Sequence, residues 1–136
     1  HPPTLDMLDE LGAAKPLIEQ GLVAPQVQYR SRDEGIIAQF DFGEISDLTA
    51  HPYRLQSEQF KLTRILYAML RDNPLFSLEF EATVDGVAQD NDGVRVDVDR
   101  NGKRERHEGG WLIGADGARS AVRHALDIDF EGFTWP

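Results

Sequence analysis

Apolar and polar positions alternate in two different rhythms along this chain of 136 residues. Near its start Leu5, Leu8 and Leu11 recur at helical spacing with Gly12 behind them, which predicts a short amphipathic helix over 4–12, entered through Pro2 and Pro3. The run Pro16–Gly21 reads as a second helical turn stopped by glycine. From Gln26 to Phe42 the rhythm shortens: Val27, Tyr29, Ile37, Phe40 and Phe42 lie in β-favouring runs on either side of the polar turn Ser31–Gly35, so a hairpin is expected. Apolar side chains on a strand normally exist to be buried, which places Tyr29, Phe40 and Phe42 in a sheet core, with the lining of an aromatic pocket as their other use.

Residues 44–52 read as a loop. The longest helical pattern runs from Gln56 to Asn73, where Ser57 is placed to cap and Phe60, Ile65, Leu66, Met69 and Leu70 form a broad apolar face that Pro74 ends. Period two returns in Phe76–Val84 and Val94–Val98, with turns at Asp90–Gly93 and Asn101–Gly102. A three-stranded antiparallel meander over 75–113 follows. Val94, Val96 and Val98 share one face of it, so one side is expected to be buried. The stretch 110–115 is continuously apolar, the pattern of a central parallel strand covered on both faces, and residues 121–126 return to helical spacing. Residues 127–135 read as extended.

Charge and composition narrow the function. With 14 Lys and Arg against 24 Asp and Glu, the formal net charge is −10, which argues against general attraction to nucleic acid or an anionic membrane. The chain has no cysteine, so disulfides and thiolate chemistry are excluded. No run approaches the ~18 apolar residues of a membrane span and no signal segment opens the chain, so a cytoplasmic location is expected. His1, His51, His107 and His124 lack metal-ligand spacing, and no metal is expected. The acidic turn around Gly93 fails as a calcium loop, since Ala88 and Asp99 stand where ligands belong. His51, in a loop beside Pro52, reads as a solvated side chain or an isolated general base. Ser120 and His124 lie four apart, but no third group orients the histidine and no Gly-x-Ser-x-Gly elbow is present. No catalytic side chain stands out.

The densest chemistry lies in Gly114-Ala115-Asp116-Gly117-Ala118-Arg119-Ser120-Ala121-Val122-Arg123. Glycines flank a carboxylate, so Asp116 is presented where other atoms can approach the backbone closely. Ser120 and the first-turn amides sit where a helix offers donors to an anion. Arg119 and Arg123, four apart, are expected on one helix face, able to bring two guanidinium groups to a phosphate. Acceptors for ribose hydroxyls beside donors for phosphates suggest a nucleotide. A turn whose Asp and Ser only cap the helix satisfies the same spacing.

The string Asp116-Gly117-x-x-Ser120-x-x-Arg123 resembles the "DG" fingerprint of the flavin-dependent aromatic hydroxylases, the para-hydroxybenzoate hydroxylase family. The likeness extends through His1–Gly12, Leu55–Phe60 and Phe130–Gly132, in the family's order. It implies a mixed α/β (α+β) fold: part of an FAD-binding Rossmann-like fold, with the antiparallel meander and part of a substrate-domain sheet. Its pieces would be 1–24 (helical), 25–54 (substrate-sheet hairpin), 55–126 (FAD-domain helix, meander and DG motif) and 127–136 (the next substrate-domain segment). The resemblance further implies that Asp116, Gly117, Ser120 and Arg123 lie beside FAD and take part in NADPH or NADH use. It also puts Gln56 on FAD and passes the backbone near Val84 along the adenine. The substrates implied are a small aromatic molecule and O2.

The opening His1-Pro2 and closing Trp135-Pro136 read as cuts in a longer protein, and neither a Gly-x-Gly-x-x-Gly nor a late Gly-Asp pair is present. A piece of this kind is expected to be inactive alone, to hold FAD poorly and to associate, for instance as a homodimer. Two other readings stay open. One is a reductase or halogenase on the same flavin scaffold; the other is a non-catalytic α+β binding domain.

Overall fold

The computed structural model describes residues 1–133. The chain divides into two compact units, His1–Ser77 and Leu78–Pro136, and each is described by itself.

In the first unit, α1 spans Pro2–Glu10 and α2 spans Ala14–Ile18. The prolines begin α1 instead of preceding it, because the first turn has no internal acceptor for the N–H that proline lacks. Leu5 and Leu8 are buried. Leu11, expected on the same stripe, lies one residue beyond the helix end and is exposed. Leu8, Ala13, Ala14 and Leu17 form a small core, against which Ile18, Leu55, Leu62, Ile65 and Leu66 pack.

β1 (Leu22–Ala24) pairs antiparallel with β4 (Arg54–Gln56), an association between segments about thirty residues apart that the local pattern did not disclose. Gly21 enters β1 so close to this partner that a Cβ there would lie 2.7 Å from Leu55 Cδ1.

β2 (Gln26–Ser31) and β3 (Gly35–Asp41) form the expected hairpin. Gln26, Gln28, Gln39 and Asp41 join in a side-chain ladder on one face. On the other face Tyr29 and Phe40 meet edge to face, their centroids 5.9 Å apart. These two aromatics are 61% and 57% exposed, so the expected burial in a sheet core does not hold among the described residues. A two-stranded ribbon has no second layer to cover them. A 3-10 turn, Phe42–Ile45, follows.

α3 (Gln59–Leu70) is shorter than its pattern and starts later. Gln56 ends strand β4 instead of entering a helix, and the N-cap position falls to Glu58, whose side chain makes no capping bond. Pairing with β1 holds residues 54–56 extended, so Ser57 comes too early to cap.

The second unit is built on the meander β5 (Thr83–Asp90), β6 (Gly93–Arg100) and β7 (Lys103–Gly109), in that order. Both turns stand where the sequence puts them. The first strand does not. Hairpin register is set by its turn, so the residues leading into the turn at Asn91, Thr83–Asp90, face Gly93–Arg100, and residues 76–82 form no strand. Glu81, at φ 55°, also breaks the extended path. The expected burial of one face is met at Val98, which is 7% exposed.

α4 (Ala121–Ala125) packs beside β5. The predicted strand at 110–115 is absent: residues 111–116 have no ladder partner among the described residues, and Trp111 and Ile113 are 94% and 89% exposed. A strand exists only through its neighbours' hydrogen bonds, so apolar character alone does not make one. Residues 127–133 likewise form no strand, and the rest of that expected segment lies outside the described residues. No helix among the described residues is long and apolar enough to cross a membrane.

Candidate functional site

Asp116 sits in the turn before α4, and its carboxylate is bound by the residues that follow it. Ser120 Oγ donates to Oδ1 at 2.5 Å, and the Val122 amide donates to Oδ2 at 3.2 Å. Ser120 Oγ in turn accepts from the Arg123 amide at 2.9 Å, which makes Ser120 the N-cap. The hydroxyl bond from Ser120, aided by backbone amides, holds the Asp116 carboxyl below its ordinary value of 3.8. The side chain therefore stays an anion, and the residue as a whole remains exposed.

In this arrangement the Ser120 hydroxyl and the Val122 and Arg123 amides donate to the chain's own oxygens. The expectation for Arg119 is corrected: it precedes α4 and shares no helix face with Arg123. The Arg123 guanidinium turns back to the Ala118 carbonyl at 2.9 Å and lies 4.9 Å above the Phe130 ring. It braces the turn, with Nη2 also 2.9 Å from His124 Nε2.

The two glycines divide the work. A Cβ at Gly114 would press on Val122 at 3.0 Å, so its absence lets the incoming chain lie against α4. Gly117, at φ +80°, has open space where a Cβ would stand. The backbone beside the carboxylate is thus bare on its outer side.

Val84 lies where β5 departs from regular pairing. It faces Val98, the next matched pair is Gly86 with Asp97, and Asp85 is left over as a bulge. Bulges release a backbone segment from its ladder.

Gln56 lies in the other unit and is exposed. With Gln20, Gly21, Leu22, Ser57, Glu58 and Lys61 it lines an open polar groove of about 440 Å³. Lys61 Nζ is held there by Glu58 at 2.6 Å and by the Gln20 carbonyl at 2.7 Å.

Two constellations were not legible in the sequence. His51 is only 8% exposed, and its Nδ1 lies 2.7 Å from Asp6 Oδ1, so it is no solvated loop side chain. Thr49 Oγ1 donates to both Asp6 oxygens and accepts from the His51 amide. The partners are 45 residues apart, and no spacing signal connects them. A second cluster was also unforeseen: Glu79, Glu105 and His107 bring one ligand atom each within 4.8 Å of the others, with Glu79 ion-paired to Arg100.

Residues 1–135 match a family described as the FAD binding domain. The chain belongs to this family. Its relatives include the para-nitrophenol 4-monooxygenase of Pseudomonas sp. strain WBC-3, 31% identical over 134 residues, which cover 98% of this chain and 33% of that protein. The 6-methylpretetramide 4-monooxygenase of Streptomyces rimosus is 30% identical over 134 residues, 97% of this chain and 23% of the relative. Among solved structures, the p-nitrophenol 4-monooxygenase of Pseudomonas putida DLL-E4 superposes with a TM-score of 0.92 at 28% identity, over 98% of this chain and 34% of that one. The FAD-binding-domain chain thus spans about a third of the length of these nitrophenol relatives. The mixed α/β architecture with antiparallel sheets is the one expected, and it matches theirs.

Proposed function

We propose that this chain is part of a flavin-dependent monooxygenase that hydroxylates an aromatic ring using O2 and NADPH or NADH. The observation that carries the reading is the Asp116–Gly117 turn: an anionic carboxylate on an exposed ledge with bare backbone beside it, in a chain that matches the FAD-binding family over 1–135. The donor set fits a dinucleotide. Asp116 offers acceptors for hydroxyls, Gln56 offers both a donor and an acceptor, and the bulge at Val84 frees backbone for a base edge.

In this reading Asp116, Gly117, Gln56 and the Val84 backbone touch FAD, while Ser120 and Arg123 act as positioning residues that hold the Asp116 turn. The flavin supplies the redox and oxygen chemistry, and the protein supplies orientation and exclusion of water. Asp116 needs no proton transfer for this role, since its carboxyl is kept ionised. The relatives described above are monooxygenases of para-nitrophenol and of 6-methylpretetramide, which supports an aromatic ring as the substrate class.

The test is made on the full-length protein. Purification should yield flavin absorbance, and a phenolic substrate should accelerate NAD(P)H oxidation with formation of a hydroxylated product. Colourless protein that takes up no added FAD would overturn the proposal. Flavin-dependent NAD(P)H oxidation with no ring hydroxylation across phenols would favour a reductase.

A further inference from the structure

The two faces of strand β7 are built on different rules. On one face its charged residues all meet opposite charges across the register with β6: Arg104 stands opposite Asp99, Arg106 opposite Asp97 and Glu108 opposite Arg95. Arg106 Nε closes on Asp97 Oδ1 at 2.7 Å. On the other face Glu105 stands opposite Val98, which is buried, and His107 opposite Val96. Residues two apart on a strand share a face, so a carboxylate and an imidazole lie side by side against apolar partners. Neither makes an ion pair or a side-chain hydrogen bond with any described residue.

A third group joins them. Glu79, from the chain ahead of β5, brings one ligand atom within 4.8 Å of one each from Glu105 and His107. Arg100, the last residue of β6, pairs with Glu79. A carboxylate has two oxygens, so Glu79 can keep Arg100 on one and accept a cation on the other, and the ion pair then orients a ligand. The charge that converges here is two carboxylates against one guanidinium, which a further cation would balance.

The donor set narrows that cation. One imidazole nitrogen with two carboxylate oxygens suits zinc and its neighbours in the first transition row, whereas calcium and magnesium take shells of oxygen. The ligands come from two stretches of chain, so a bound ion would clip the segment that enters β5 to strand β7.

We propose that Glu79, Glu105 and His107 form a structural site for one divalent transition-metal ion, of the class of zinc, with solvent completing its coordination. Arg100 is a positioning residue that holds Glu79. The site is independent of the flavin reading, since none of its ligands is assigned to FAD.

The experiment uses the full-length protein, treated with a chelator and then freed of it. Zinc is titrated in by calorimetry, and melting temperature is followed with added zinc and with added magnesium. Wild type should bind zinc at a site that His107→Ala and Glu105→Gln each weaken by about tenfold or more, at least the scale of losing a supporting group around a metal. Zinc should raise the wild-type melting temperature by binding the folded state, and raise that of each variant less. Magnesium should raise none of them. Without metal both variants should melt as wild type does, because the replaced side chains bond nothing in the fold; the near-isosteric Glu105→Gln keeps the test decisive should His107→Ala fold poorly. No zinc binding by wild type overturns the proposal. Zinc binding that both variants leave unchanged also overturns it, by showing an adventitious site elsewhere, and an equal response to magnesium overturns the assignment of a transition metal.

Discussion

Ser120 Oγ stands 2.5 Å from Asp116 Oδ1 and 2.9 Å from the Arg123 amide, so one hydroxyl links the exposed carboxylate to the first turn of α4. The capping and the nucleotide readings of this turn are therefore not rivals. Capping fixes the carboxylate in place, and the fixed carboxylate is what a ligand would meet.

The two roles separate by mutation. Ser120→Ala removes the cap and should cost about 1 kcal/mol of stability by urea denaturation, with a smaller loss of FAD affinity. Asp116→Ala in the full-length protein should lower flavin retention or slow flavin reduction by NAD(P)H. Unchanged flavin content together with unchanged NAD(P)H oxidation would refute the assignment of Asp116.

Acid should loosen both units through particular carboxylates. Asp6 is held below 3.8 chiefly by its bond to His51 and next by Thr49, and Asp116 chiefly by Ser120. In each case the unfolded chain binds the proton more readily, so stability rises with pH in this range. The contribution is complete above the ordinary carboxylate value and is lost as pH falls from there through the lowered folded value. Melting temperature followed from pH 6 to pH 2 should drop steadily below about pH 4. Asp6→Asn should flatten part of that drop, and an unaltered slope would show that Asp6 is not a contributor.

His51 is the joint between α1 and the chain that leads into β4. Replacing it with alanine empties a buried site and leaves Asp6 without its ring partner. A loss of about 1–3 kcal/mol is expected from equilibrium unfolding. A change within ±0.5 kcal/mol, the ordinary range of surface substitutions, would mean that the contact is incidental.

Gly21 is a packing constraint. Gly21→Ala would drive a methyl to 2.7 Å from Leu55 Cδ1 and 2.9 Å from Cγ, and overpacking of this kind costs about 1–3 kcal/mol. Adding Leu55→Ala should recover part of the loss at the second site. Strictly additive losses in the double variant would show that the two residues do not press on each other.

Local rules settled the features whose cause lies within a few residues. The turns at Asp90–Gly93 and Asn101–Gly102, the hairpin around Ser31–Gly35 and the helix after Ser120 all follow from adjacent side chains and backbone preferences, and all are present. The "DG" string was legible for the same reason, as was the family it belongs to. What the chain's own order could not disclose depends on distant partners. The β1–β4 pairing decides that Gln56 ends a strand and that Ser57 caps nothing, because Leu22–Ala24 supplies hydrogen bonds from about thirty residues away. Asp6 finds His51 only once α1 has packed. The apolar run 111–113 looks like a strand and is none, since a strand is a property of a pair and its ladder partner is not among the described residues.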